Sequence, residues 1–206
     1  MLPLQVVGRL NTQTIPLFPL QTVLFPGGPL PLRVFEPRYL DMVSHCMKQS
    51  APFGVVLVDV DADADAAAMR SVGTLATVVD WYQGTDGLLG ITARGGERFR
   101  LLETDRQPDG LNVGSVETLP PETPKPLPQE YSSMAALLRA VVDDLGRLYE
   151  TIEKHYDDAS WVGFRFAEIL PLELEQKQFC LELNDPLERL RVLRPSLRQM
   201  REEQTQ

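Results

Sequence analysis

Five prolines fall within ten residues at Leu119-Pro120-Pro121-Glu122-Thr123-Pro124-Lys125-Pro126-Leu127-Pro128, and this tract constrains the chain more than any other feature. Proline fixes φ and has no N–H to donate, so the tract can form neither a helix interior nor a central strand. It reads as an extended, poorly hydrogen-bonded linker. It also separates two hydrophobic periods, which places a β-rich unit at 1–119, the linker at 120–129 and a helical unit at 130–206.

Before the tract, short apolar or alternating runs bounded by turn residues predict seven strands, at 14–17, 29–34, 53–58, 73–79, 88–94, 98–102 and 111–116. Asp86-Gly87 and Asp109-Gly110 supply the positive φ that tight hairpins need, so the strands should be mainly antiparallel neighbours curled into a compact barrel. One helix interrupts them. Pro37 suits a first helical position, and Tyr39, Leu40, Val43, Cys46 and Met47 recur at helical spacing as far as Ser50, forming a plug for one barrel end.

After the tract the period becomes helical. Met134, Leu138, Val141, Leu145, Leu148 and Ile152 draw one stripe along a helix of about six turns capped by Ser132 or Ser133. A second helix starts at Asp158 or Ser160, carries Trp161, Phe164, Ala167 and Ile169, and stops at Pro171; a third carries Leu174 and Phe179 to Leu183. Asp185 and Pro186 restart a fourth with Leu187, Leu190, Leu193 and Leu197 inward, which Pro195 should kink or end.

Several chemistries are disfavoured by composition. Twenty Lys and Arg against 29 Asp and Glu leave a net charge of −9, which repels phosphate backbones, so nucleic acid is not an expected partner. No run approaches the ~20 apolar residues of a membrane span, and the first ten residues resemble no signal peptide, so a reducing cytoplasmic setting is expected. Cys46 and Cys180 read as buried apolar residues, with no metal motif around them. Asp59, Asp61 and Asp63 hint at calcium, but counting from Asp59 puts Ala64 and Arg70 where an EF-hand has glycine and glutamate, so a solvated acidic loop is the better reading. His45 and Cys46 point about 100° apart on a helix and cannot act as a catalytic pair. Neither Ser44 nor Cys180 has an evident base, and His155 is remote in sequence.

Binding is better represented. Glu36 and Arg38 flank Pro37, and their charges suit a peptide terminus or backbone, although a helix start, with Glu36 capping its N–H groups and Arg38 paired internally, is the stronger reading. Phe35 and Tyr39 beside them read first as core. Phe25, Pro26 and Gly27 belong to an apolar Pro/Gly segment, 18–29, that can form a preshaped lip for extended peptide or simply a rigid barrel connection. Trp161, with Phe164 and Phe166, lies where the helices must meet the barrel or a partner, core packing being the plainer explanation.

Taken in order, Ile15-Pro16-Leu17-Phe18-Pro19-Leu20, Val23-Leu24-Phe25-Pro26-Gly27, Leu30-Pro31-Leu32 and Phe35-Glu36-Pro37-Arg38-Tyr39 resemble the Lon N-terminal domain family. Phe53-Gly54-Val55-Val56-Leu57, Val72-Gly73-Thr74 and Gly95-Gly96-Glu97-Arg98-Phe99 continue the resemblance, as do Leu170-Pro171-Leu172, Lys177-Gln178, Glu182 and Leu187-Glu188-Arg189-Leu190, so about 12–195 is covered. The resemblance implies an α+β protein, a PUA-like mainly antiparallel β-barrel followed by a C-terminal helical bundle, in a region that holds protein substrates for an ATP-driven protease.

No G-x-x-x-x-G-K-[ST] phosphate loop occurs, and 206 residues leave no room for the ATPase and Ser-Lys peptidase domains. The expectation is a stand-alone, non-catalytic, cofactor-free domain that binds exposed or unfolded apolar polypeptide in a groove between barrel and helices. It would act as an adaptor or decoy in protein quality control, a separate protease or ATPase being a further partner. A small-molecule sensor and a small hydrolase using the same cleft are the alternatives.

Overall fold

The computed structural model describes residues 12–58 and 69–203, so the acidic run at 59–65 lies outside the described residues. Six strands, β1 (Thr12–Leu20), β2 (Pro29–Val34), β3 (Phe53–Leu57), β4 (Val72–Gln83), β5 (Leu89–Arg106) and β6 (Asn112–Thr118), form one sheet in the order β2-β5-β4-β3-β1-β6. The far end of β5 also pairs with β6, so β5, β4, β3, β1 and β6 close a ring while β2 stays outside it, paired only with β5. The sheet is therefore a partly closed barrel. Its pairings are antiparallel except β1 with β3, where Leu17 to Leu20 run alongside Gly54 to Leu57.

The seven expected strands are six because the fifth and sixth are one strand of 18 residues. Gly95 and Gly96 read as a break, yet they serve a close approach. Gly27 N–H donates to Gly95 O at 2.8 Å and Gly95 N–H to Gly28 O at 2.9 Å. A Cβ on Gly95 would fall well inside contact distance of the Phe25 carbonyl. The two hairpins form as expected, with Gly87 at φ +80° and Gly110 at φ +84° and with Asp86 and Asp109 accepting from Leu88 and Leu111 N–H.

Helix α1 (Pro37–Gln49) buries Tyr39, Met42, Val43 and Cys46 against Phe18, Phe53, Val55, Ile91 and Ala93. Met47 is exposed and Met42 takes its place on the inner face. Beyond the proline tract come α2 (Ser132–Asp144), α3 (Arg147–Glu150), α4 (Ala159–Ile169), α5 (Leu174–Glu182) and α6 (Pro186–Glu203).

The single helix expected over 134–152 is broken at Gly146, whose φ of +55° no L-residue in a helix adopts. The break turns Leu145 and Leu148 outward and Tyr149 inward, while within α2 it is Val142 and not Val141 that continues the buried stripe of Met134 and Leu138. Neither serine caps α2, because a 3₁₀ turn at Gln129–Tyr131 leads directly into it. Asp158 caps α4 by accepting from Ser160 N–H, and Asp185 accepts from Leu187 N–H at the start of α6. The latter helix runs through Pro195 to Glu203 rather than ending there.

The largest core cluster is shared between the two halves. Val23, Phe25, Leu57 and Val72 from the sheet side pack with Leu138, Trp161, Phe164, Phe166, Leu181 and Leu190 of the helices. The proline tract has little regular structure but is fastened, with Leu127 N–H donating to Asp157 O and Ala159 N–H to Lys125 O. Its Glu122 turns inward.

Candidate functional site

Two clefts divide the residues singled out from sequence. The first, about 340 Å³, lies at the junction of sheet and helices between the Pro26-Gly27 loop, Gly96 to Arg98, the proline tract and the rings of Trp161 and Phe164. Its base is charged. The Glu122 side chain is only 4% exposed and accepts from Arg189 Nη1 at 3.1 Å, from Arg189 Nη2 and from Ser160 Oγ at 2.5 Å, with Arg98 Nη2 3.6 Å away.

Both guanidiniums are occupied elsewhere as well. Arg98 donates to the carbonyls of Leu181 and Leu183 and to Asn184 Oδ1; Arg189 donates to Cys180 O and Leu183 O and lies 3.7 Å from the centre of the Phe164 ring. Burial draws Arg98 below the ordinary arginine range, against the pull of Glu122. These groups satisfy one another and the carbonyls at the end of α5, which a helix leaves without intrahelical donors. They fasten α5 and α6 to the sheet and to the proline tract.

A second buried set stands behind the Pro26-Gly27 loop. Arg165 Nη2 donates to Pro26 O at 2.8 Å and lies 3.1 Å from Glu168 Oε2, while Tyr149 donates its hydroxyl to Glu168 and Lys177 donates to the Glu168 carbonyl. Burial pushes the Glu168 carboxyl up, opposed by Arg165, Tyr149 and Lys177.

The second cleft, about 360 Å³, opens on the sheet side between Phe18 to Gln21, Leu32 to Glu36, Arg38, Tyr39 and Arg106. The Phe18 and Tyr39 rings stack beside it with centroids 4.1 Å apart and planes at 17°. Burial raises the Tyr39 hydroxyl. Arg38 donates from Nη1 to Gly110 O at 3.1 Å, pairs through Nη2 with Glu36 Oε2 at 2.6 Å and lies 5.0 Å from the Tyr39 ring centre. Glu36 stands at the N-cap of α1 without a side-chain cap bond, its carboxylate committed to Arg38 instead. Phe35 is 65% exposed.

Of the residues picked out from sequence, Phe35, Glu36, Arg38 and Tyr39 meet at the sheet-side cleft and Pro26, Gly27 and Trp161 at the junction cleft. One groove does not unite them. Phe25 is fully buried, its ring 6.0 Å from that of Phe164, so its side chain is core and not lip. Trp161 is buried edge-on to Tyr156, and Phe164 and Phe166 are core as their plainer reading had it. Phe35 goes the other way: expected inside, it stands in solvent, because β2 ends at Val34 and the chain reverses into α1 at Pro37.

Burial pushes up the thiols of Cys46 and Cys180, the state in which a thiol is least nucleophilic. Sequence reading missed Arg33 and Arg106 at the sheet-side cleft and the buried set of Arg98, Glu122, Arg165, Glu168 and Arg189. A signal existed for two of them, since Arg165 and Arg189 fall four residues from Trp161 and Leu193 on stripes otherwise apolar.

Residues 14–199 match the family model described as the ATP-dependent protease La (LON) substrate-binding domain. The chain belongs to this Lon substrate-binding domain family. A crystal structure of a Lon N-terminal domain protein from Xanthomonas campestris is 35% identical and superposes with a TM-score of 0.73 over 88% of this chain and 96% of that one. The N-terminal domain of a Mycobacterium avium complex Lon protease, 18% identical, shares the fold with a TM-score of 0.62 over 89% of this chain and 97% of the other.

Among curated proteins, the Lon protease of Paraburkholderia phytofirmans is 29% identical over 82% of this chain and 22% of its own length. The cereblon protein of Xenopus tropicalis is 32% identical over 53% of this chain and 25% of its own. The chain thus spans about a quarter of the length of these relatives. In the family model, the Lon match is to the substrate-binding domain and not to a catalytic one.

Proposed function

We propose that this chain is a non-catalytic binder of exposed, unfolded polypeptide segments, acting as an adaptor or decoy in protein quality control, and that the sheet-side cleft is where it binds them. The observation that carries this is Phe35, a large aromatic side chain held 65% exposed at the rim of an aromatic-walled cleft. Continuous with the cleft walls of Phe18, Leu20 and Leu32, this ring extends an apolar surface of the kind that takes an apolar segment. Membership of a family described as substrate-binding supports the same reading, as does the junction cleft, whose charged groups are taken up by protein partners. Two buried free thiols suit a reducing cytoplasm.

The test uses the whole chain and one fluorescently labelled target protein, native or permanently unfolded by reduction and alkylation. Saturable binding to the unfolded form alone is expected. Phe35→Ser should weaken it about 10-fold, as loss of one buried aromatic contact predicts. Phe179→Ser, another exposed ring far along the sequence in α5, should leave it unchanged. Equal binding of native and unfolded target, or none of either, would sink the proposal.

A further inference from the structure

The sheet-side cleft is rich in arginine although the chain as a whole is acidic. The chain has a net charge of −9, yet Arg33, Arg38 and Arg106 line this cleft beside Glu36, Arg33 being held by Asp86. Arg38 and Arg106 converge on the same turn, a Cβ at Gly110 falling 3.1 Å from Arg38 Nη1 and 3.6 Å from Arg106 Nη2. Burial keeps the Tyr39 hydroxyl raised, although Arg38 and Arg106 each pull it down. A guanidinium at a partly exposed rim takes a carboxylate through charge-assisted hydrogen bonds.

One such anion is already there, and it shows what the place accepts. Glu36 lays a carboxylate oxygen 2.6 Å from Arg38 Nη2, and this side chain is 39% exposed at the rim, free to swing out into water. The Arg38 Nε–H is buried with no acceptor, so the guanidinium has a donor that Glu36 does not use. Helix α1 adds its positive end, since it starts at Pro37 with no acidic residue in the first turn and no side-chain cap. Apolar walls from Phe18, Leu20, Leu32 and Phe35 complete the cleft.

We infer that this cleft takes the free C-terminus of a polypeptide, with the terminal carboxylate on Arg38 in place of Glu36 and an apolar last side chain against Phe18 and Phe35. The inference rests on the reading of this cleft as a polypeptide site and narrows it from internal segments to chain ends. Glu36 is then an internal competitor: it keeps Arg38 paired when the cleft is empty and sets a threshold that only a well-placed carboxylate, backed by apolar contact, passes. An internal apolar segment lacks the carboxylate and leaves Glu36 where it is.

The experiment compares one short fluorescent peptide ending in Leu-Phe as the free acid and as the carboxamide, by anisotropy with the whole protein. The free acid should bind about 10-fold more tightly, the worth of one charge-assisted pair partly offset by loss of Glu36. Its advantage should shrink with added salt. Arg38→Gln should erase the difference between acid and carboxamide.

Because Arg38 also holds Gly110 O, the second variant is Glu36→Gln, which keeps that bond and should raise the preference for acid over carboxamide several-fold. Equal binding of acid and carboxamide in the unaltered protein would overturn the inference and leave the polypeptide reading standing. Binding of neither peptide would overturn both. Displacement of the free acid by decanoate at matched concentration would also overturn it, in favour of a small apolar carboxylate.

Discussion

The two clefts are nearly the same size, about 340 and 360 Å³, and each contains arginine against glutamate, yet the charges do opposite work. In the junction cleft, the side chains of Arg189, Arg98 and Glu122 are 0%, 4% and 4% exposed, and protein groups take up their bonds. In the sheet-side cleft Arg38 and Glu36 are 24% and 39% exposed, and one donor of Arg38 is unspent. Desolvation makes the difference. A buried ion costs several kcal/mol to strip of water and must find every partner inside the protein, whereas a rim ion keeps part of its hydration and can exchange partners at little cost. An arginine lining a cleft therefore signals a ligand only when its own protein has not saturated it.

The comparison breaks most sharply at Glu122. Glu122→Ala leaves two buried guanidiniums facing each other and should cost about 3–5 kcal/mol, read as a shift in the urea midpoint; a loss below about 1 kcal/mol, the ordinary worth of an exposed pair, would show that the junction charges are not the fastening described. Next in size is Gly95→Ala. Its Cβ meets the Phe25 carbonyl, so the Phe25–Gly28 wall of the junction cleft must shift, at roughly 1–3 kcal/mol.

A smaller effect is expected of Glu168→Gln, and it appears in the pH dependence. Burial raises the Glu168 carboxyl in the folded state, so between the ordinary glutamate range and that higher value the folded protein binds more protons than the unfolded chain. Stability contributed by this group is present at low pH and is lost as pH rises through the folded value. The glutamine variant should lack this decline when urea midpoints are compared across mildly acidic and neutral pH. An unchanged slope would mean that Arg165 and Tyr149 outweigh burial there. Smallest is Phe35→Ser, whose unfolding midpoint should move by no more than about 0.5 kcal/mol, because a rim side chain contributes to binding and not to the core.

Local chemistry explains which parts could be read in advance. The Asp86-Gly87 and Asp109-Gly110 hairpins, the Pro37 start of α1 and the caps at Asp158 and Asp185 each depend on residues within a turn of one another, and all are found where sequence places them. The pairing of Glu36 with Arg38 was not legible, since a helix start suggested Glu36 as its cap and the carboxylate goes to Arg38 instead. What else escaped is nonlocal. Gly95 resembles a turn until the Phe25–Gly28 loop is laid across it, and Glu122 resembles a linker residue until Arg98 and Arg189 arrive from either side in sequence. Helical period could not tell that Gly146 would take a positive φ and divide its stripe. Nor could it assign Phe35 and Trp161 to different clefts, because periodicity gives a face and not a neighbour.

The pairing of β1 bears on how the molecule comes into being. Thr12 to Pro16 align with Glu117 back to Val113, so the first strand has no partner on that side until β6 has been made. Contacts so distant along the chain are slow to form, and an unpaired strand edge invites association in the interval. Arg98 must wait longer still, since its acceptors Leu181, Leu183 and Asn184 lie 83 to 86 residues further along the chain. A nascent chain emerging from the ribosome thus carries one edge of β1 bare until β6 follows it, and the guanidinium fastening closes only after α5 has emerged.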